Sequence, residues 1–169
     1  MPTQPYTPPC KSWQTKRSKK HMIMIVRTNS ENQAFIKLVQ LLNADLAKRD
    51  GANHPLSQFN TIDNIKYVVL AYENHKPIGC GAIVEYDLNT MEIKRMYVSP
   101  EVREKRIGTN ILSELEILAK ELGSSKCILF TGLHQPEAKR LYERNGYRQI
   151  QKYGKLTKIA DSLCFAKEI

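Results

Sequence analysis

Long apolar runs are missing from this sequence: the longest covers residues 67–72. A membrane-crossing helix needs about 20 apolar residues, so no span is expected, and no apolar segment of the secretory-signal kind follows the N-terminus. Paired cysteines are missing too. Cys10, Cys80, Cys127 and Cys164 include no C-x-x-C spacing, and three of them stand inside apolar segments. They read as buried reduced thiols of a cytosolic protein. His21, His54, His75 and His134 are scattered, with no second His or Cys at ligand spacing, so no metal site is expected. The common glycine-rich phosphate loops are absent: neither G-x-x-x-x-G-K-S/T nor G-x-G-x-x-G occurs. There is no internal repeat.

What is present is basic charge, unevenly placed. The net charge is +9, and Lys11, Lys16, Arg17, Lys19 and Lys20 crowd into residues 1–21, where no acid occurs. The remainder is only mildly basic, which suits a small anionic ligand as well as a polyanion and makes nucleic acid an unlikely partner. Pro2, Pro5, Pro8 and Pro9 precede the basic run and no apolar periodicity accompanies it. Residues 1–21 are therefore expected to form a disordered basic tail, extraneous to the domain, with Met22 and Met24 both serviceable starts. Residues 22–169 are expected to form one domain, long enough to bury a core without disulfide or metal staples.

Apolar spacing divides that domain into elements. Residues 22–27 read as a strand. Ser30 and Gln33 stand at capping-box spacing, and Ala34, Phe35, Leu38, Val39, Leu41, Leu42 and Leu46 follow with helical period up to Gly51. Residues 52–64 are loop-like, with a short helix around Leu56 and Phe59. Strands over 67–72, 77–86 and 90–98 make an antiparallel meander, turning at 73–76 and 87–89. Gly79 and Gly81 in its middle strand point to a bulge or a close backbone approach. From Gly108 the period becomes helical, with Ile111, Leu112, Leu115, Leu118 and Leu122 as the apolar stripe and Gly123 as the stop. A strand over 127–130, a helix opened by Pro136 and closed by Gly146, and strands near 147–151 and 162–167 complete the chain. Strand 90–98, helix 108–122 and strand 126–131 form a right-handed crossover, which makes those two strands parallel if they are neighbours. The sheet is therefore mixed, with helices on its faces.

The loop 99–109 leads from the end of a strand into a helix N-terminus, where free amides and the helix dipole make an anion site. Arg103, Lys105 and Arg106 add charge suited to a diphosphate. The stretch Arg103-Glu104-Lys105-Arg106-Ile107-Gly108 resembles the R/Q-x-x-G-x-G/A pattern of the GCN5-related N-acetyltransferases (GNAT), with Arg106 in place of the middle glycine. Glu92-Ile93-Lys94-Arg95-Met96-Tyr97-Val98-Ser99-Pro100 looks like that family's fourth strand and its exit. Thr131-Gly132 and the stretch from Gln135 to Tyr147 resemble its closing N-x-x-A-x-x-L-Y-x-x-x-G-F/Y motif, with Gln135 in place of Asn.

The resemblance implies an α/β fold with a mixed, mostly antiparallel sheet of about seven strands around a central parallel strand–helix–strand unit. It implies acetyl-CoA as co-substrate, without a metal, in a cleft where the fourth and fifth strands splay. Met96, Tyr97 and Val98 would line the pantetheine arm, with the Val98 amide polarising the thioester carbonyl. Arg103, Glu104, Lys105, Arg106, Ile107, Gly108 and Thr109 would hold the pyrophosphate, and Gln135 would flank the arm. It also implies that Tyr142 protonates the leaving thiolate and that Glu92, on a strand face shared with Lys94, Met96 and Val98, acts as the base. The expected function is transfer of an acetyl group to the primary amine of a small, amino-acid-like acceptor in the cytoplasm. A silent acetyl-CoA-binding module and a protein or peptide N-acetyltransferase stand as alternatives. A homodimer is among the assemblies the sequence allows.

Overall fold

A computed structural model describes residues 22–63 and 65–169; the expected basic tail over residues 1–21 lies outside the described residues. The elements follow in the order β1 (Ile23–Thr28), α1 (Gln33–Asp50), β2 (Tyr67–Glu73), β3 (Lys76–Asp87), β4 (Thr90–Val98), α2 (Ile107–Glu121), β5 (Lys126–Gly132), α3 (Pro136–Arg144), β6 (Arg148–Ile150) and β7 (Ser162–Glu168). Short 3-10 turns cover Pro55–Phe59, Pro100–Val102 and Gly154–Lys158. The seven strands lie in one sheet of order β1-β2-β3-β4-β5-β7-β6. All neighbours are antiparallel except β4 and β5, which the crossover through α2 makes parallel.

Each face of the sheet buries a different helix layer. On one face, Ile111, Leu112 and Leu115 of α2 and Tyr142 of α3 pack with Ile83, Ile93, Leu129 and Phe165. On the other, Phe35, Leu38 and Val39 of α1 pack on Val68, Leu70, Cys80 and Ala82. The two helical stripes expected from the sequence are each one residue too generous. Leu41 and Leu122 are exposed, Leu41 because it turns off the inner face and Leu122 because it is the C-cap, past the last helical turn. The start of α1 also differs from expectation. Asn32, not Ser30, is the N-cap, and its Oδ1 accepts from the amides of Ala34 and Phe35. A turn in which the Asn29 carbonyl accepts from the Asn32 amide moves the helix start beyond Ser30.

The meander contains the feature that shapes the site. At the β2–β3 hairpin, Asn74 and His75 both take positive φ, as a tight two-residue turn requires. Between β3 and β4 the register slips by one: Cys80 faces Tyr97 but Ala82 faces Lys94, so Arg95 and Met96 of β4 together oppose Gly81. The bulge lies in β4, across from the glycine, rather than at the glycine itself. Gly81 makes room for it, since a Cβ there would come within 2.5 Å of the Met96 sulfur and 2.8 Å of Leu115. Arg95 takes a left-handed φ of 56°, a conformation that costs a non-glycine residue about 1–2 kcal/mol.

The bulge also overturns one expectation. Alternation along β4 is broken, so Met96 and Val98 face the α2 layer while Glu92 and Lys94 face the opposite side with Val84 and Ala82. Glu92 therefore does not share a face with Met96 and Val98.

Candidate active site

β4 and β5 are paired only where Thr90–Glu92 meets Lys126–Ile128. Beyond Glu92 the strands part, and β4 from Ile93 to Val98 runs along an open cleft with no ladder to β5. Two cavities open there. The larger, about 680 Å³, lies between the end of β4, the loop into α2, the start of α2 and α3. The smaller, about 390 Å³, lies between α1, residues 50–60, β4 and the end of β5. Met96, Gln135, Ala138 and Tyr142 line both, so the cavities meet at the bulge.

The larger cavity receives a helix N-terminus. Arg106 is the N-cap of α2, with φ 62°, and no side chain caps the helix. The Asn110 amide closes the first helical bond to the Arg106 carbonyl at 3.0 Å. The amides before it, at Ile107, Gly108 and Thr109, fall in the turn that has no intrahelical acceptor. The left-handed turn explains why a glycine suits the middle position of the motif, and Arg106 adopts the same turn. Gly108 serves packing: a Cβ there would sit 3.1 Å from Leu141, where α3 crosses the start of α2. Arg103 folds back so that its Nε donates to the Val98 carbonyl at 3.0 Å.

Of the residues named from sequence, Met96, Tyr97, Val98, Arg103, Glu104, Arg106, Ile107, Gly108, Thr109 and Gln135 line the larger cavity. Lys105 does not, and its ammonium lies 3.2 Å from Glu73. Gln135 precedes α3 and accepts from the Thr131 hydroxyl at 3.1 Å. Tyr142 lies where the cavities join, its ring packed against those of Tyr147 and Phe165. Burial pushes its phenol above the ordinary tyrosine range, so it keeps its proton at neutral pH. Glu92 lines neither cavity. Its carboxylate accepts from the Tyr153 hydroxyl at 2.9 Å and pairs with Lys94 at 3.4 Å.

Sequence reasoning overlooked several lining residues. Arg140 and Arg144, spaced one helical turn apart on α3, extend the basic wall of the larger cavity, and that spacing was a readable signal. Arg49 reaches the same wall, held by Glu137 and Asp45. In the smaller cavity, Asn43, Asp50, His54, Asn60 and Arg95 supply much of the polar lining. Asp50 pairs with His134 at 3.0 Å. The Nδ1 of His54 accepts the Leu56 amide at 3.2 Å, which leaves the proton on Nε2, toward Asp161. Asn43, Asp50, His54 and Asn60 lie within residues 43–60 while Arg95 lies on β4, and nothing in their spacing announced that they would meet.

Cys80, Cys127 and Cys164 are buried free thiols, and burial pushes Cys80 up to about 12. Among the described residues, no group of three or more His, Cys, Asp or Glu is placed to hold a metal ion, and no helix is long and apolar enough to cross a membrane.

Comparison with known proteins gives a consistent picture. Residues 64–149 match a family described as an acetyltransferase (GNAT) domain. An IAA acetyltransferase of Azospirillum brasilense is 30% identical over 136 residues, covering 78% of this chain and 88% of that one. An aminoalkylphosphonate N-acetyltransferase of Salmonella typhimurium is 27% identical over 72% of this chain and 81% of that one. The crystal structure of a GNAT family acetyltransferase from Elizabethkingia anophelis with acetyl-CoA bound superposes with a TM-score of 0.64 at 20% identity, covering 87% and 98% of the two chains.

Proposed function

Because this chain belongs to the GNAT acetyltransferase family, we propose that it moves the acetyl group of acetyl-CoA onto the primary amine of a small molecule by direct attack. The observation that carries this reading is the junction of two cavities at Met96 and Tyr142, one with a basic wall and a free helix N-terminus, the other with a compact polar lining. The first suits a diphosphate and its pantetheine arm; the second suits a compact acceptor. The Salmonella relative is named for an aminoalkylphosphonate, which is also a small amine. The buried thiols suit a reducing compartment, and we assign the protein to the cytoplasm.

The chemistry sets three demands. An alkyl amine has a pKa of about 10 and must lose a proton before its lone pair can add to the thioester carbonyl. The growing oxyanion needs a donor, a role we give to the Val98 amide. The collapsing intermediate breaks its C–S bond and leaves a thiolate, which needs a proton or a hydrogen bond. Tyr142 holds its proton at neutral pH, sits at the junction, and is assigned to that group. The pyrophosphate is assigned to the amides of residues 104–109 and to Arg103 and Arg106. Glu92 is bonded to Tyr153 and Lys94 and stands outside the lining, so as a base it would act past Lys94 through solvent. Glu92→Gln tests that: a base loses its acidic pKa from the pH–rate profile, whereas a partner of Lys94 leaves the profile in place. Arg106 takes a left-handed φ of 62°, so the turn into α2 forms without the middle glycine, which supports CoA binding in a transferase and in a silent module alike.

The deciding experiment follows CoA release by the full chain over a panel of small primary amines and lysine peptides. Turnover of small amines is expected. Thermal stabilisation by CoA with no turnover of any amine would support the silent module instead, and turnover confined to peptides would move the acceptor to proteins.

A further inference from the structure

We propose that Arg95 is the anion-binding residue of the smaller cavity, and that the acceptor is therefore an amine that also carries a carboxylate, phosphonate or comparable anionic group. The proposal rests on the reading of that cavity as the acceptor site.

Arg95 is 7% exposed, yet it lines the cavity. Its Nη1 donates to Asn60 Oδ1 and its Nη2 to Asn43 Oδ1, each at 2.7 Å. Both partners are neutral amides. Among the described residues no carboxylate lies within ion-pair distance of the guanidinium, and its Nε is buried with no acceptor. Burial draws its pKa down to about 10, with no carboxylate to raise it. It remains a cation at neutral pH. An arginine this deep is ordinarily paired, because a buried charge without a counter-charge is strongly disfavoured.

Two further features point the same way. The bulge that turns Arg95 toward α1 holds it in left-handed backbone, so the local fold carries strain to put this side chain on that side of the sheet. Lys94, its neighbour, also lines the cavity and brings a second cation whose partner, Glu92, is shared with Tyr153. The cavity's own carboxylate, Asp50, is engaged with His134. Nη1 and Nη2 each make one hydrogen bond of the two they can donate, and a planar guanidinium with N–H groups to spare is suited to a carboxylate or phosphonate oxygen.

The test uses amines in matched sets of equal chain length: a neutral alkylamine, an ω-amino acid and an ω-aminoalkylphosphonate. The full chain is expected to prefer the anionic members by about tenfold or more in kcat/KM, as a charge-assisted contact in a desolvated site predicts. Arg95→Met should collapse that preference toward unity, and Arg95→Lys should keep part of it. The phosphonate and carboxylate arms show which anion the site prefers. Because Arg95 also ties α1 to β4, Asn43→Asp provides a second variant. It supplies an internal counter-charge while leaving the arginine in place, so it should raise Tm and also lower the preference for anionic amines about tenfold. Equal use of neutral and anionic amines by the wild type would overturn the proposal, as would equal losses across the set in Arg95→Met together with an unchanged preference in Asn43→Asp. Should no amine turn over, the acetyltransfer reading fails separately. Thermal stabilisation by the same aminoalkylphosphonate, lost in Arg95→Met, would then still support the anion site, and its absence in the wild type would overturn it.

Discussion

The two cavities that meet at Tyr142 are built by different means. The larger draws on the stretch from the end of β4 through the loop into α2, on Gln135 and α3, and on α1. Its characteristic donors are backbone amides at a helix start. The smaller draws on α1, residues 50–60, β4 and β5, and its characteristic groups are side chains: Asn43, Asp50, Asn60, Lys94 and Arg95. A backbone-built site tolerates changes of side chain so long as the turn survives. A side-chain-built site changes its ligand with each substitution. A common donor and variable acceptors are the outcome such a division favours.

The sharpest break in the comparison is at the junction itself. Tyr142→Phe keeps the ring's edge-to-face contact with Tyr147 and its tilted contact with Phe165 and removes only the hydroxyl. Turnover should fall by about 10²-fold, within the usual range for lost general acid catalysis, with Tm and acceptor KM nearly unchanged. Steady-state rates checked by single-turnover kinetics decide this. Wild-type turnover with a limiting chemical step would remove Tyr142 from the chemistry.

Gly81→Val attacks both cavities through the bulge they share. The new side chain would drive into Met96, Leu115 and Ile111. Stability should drop by about 1–3 kcal/mol, the usual cost of overpacking, and CoA affinity should fall with it. Urea denaturation and calorimetry on one preparation would show both losses, and retention of wild-type stability would mean the bulge does not need the space.

Arg103→Ala combined with Arg106→Ala should weaken CoA binding by about tenfold, the scale expected when charge-assisted contacts at a solvent-facing wall are lost. Dephospho-pantetheine binding should change less, and equal losses for both ligands would relocate the diphosphate. Lys105→Ala is the control. Lys105 turns to Glu73, so CoA affinity should hold.

The smallest effect separates charge from backbone. Arg106→Gly removes the cation but relieves the left-handed φ of 62°, and should raise stability by about 0.5–1 kcal/mol. If the amides dominate the larger cavity, CoA affinity should fall less in this variant than in Arg103→Ala. The reverse order would make the Arg106 charge the main contact.

Local chemistry made much of this molecule legible in advance. Helical and alternating periods located α1, α2, α3 and the strands of the meander, since each period reports which face a residue turns to the core. The loop 103–109 and the Leu141-Tyr142 pair were readable because each lies within one short stretch of chain whose groups keep fixed spacing. Tertiary structure alone decided the rest. The β4 bulge moved Glu92 and Lys94 to the face opposite Met96 and Val98, because one extra residue inverts an alternation of period two. Asn43, Asn60 and Arg95 became neighbours only when α1 and residues 52–60 packed over β4. No spacing rule links positions that the chain separates by dozens of residues, so local pattern was enough for the order of the elements and for the loop 103–109, while the walls that α1 and α3 add to the larger cavity, and the lining of the smaller one, came from packing.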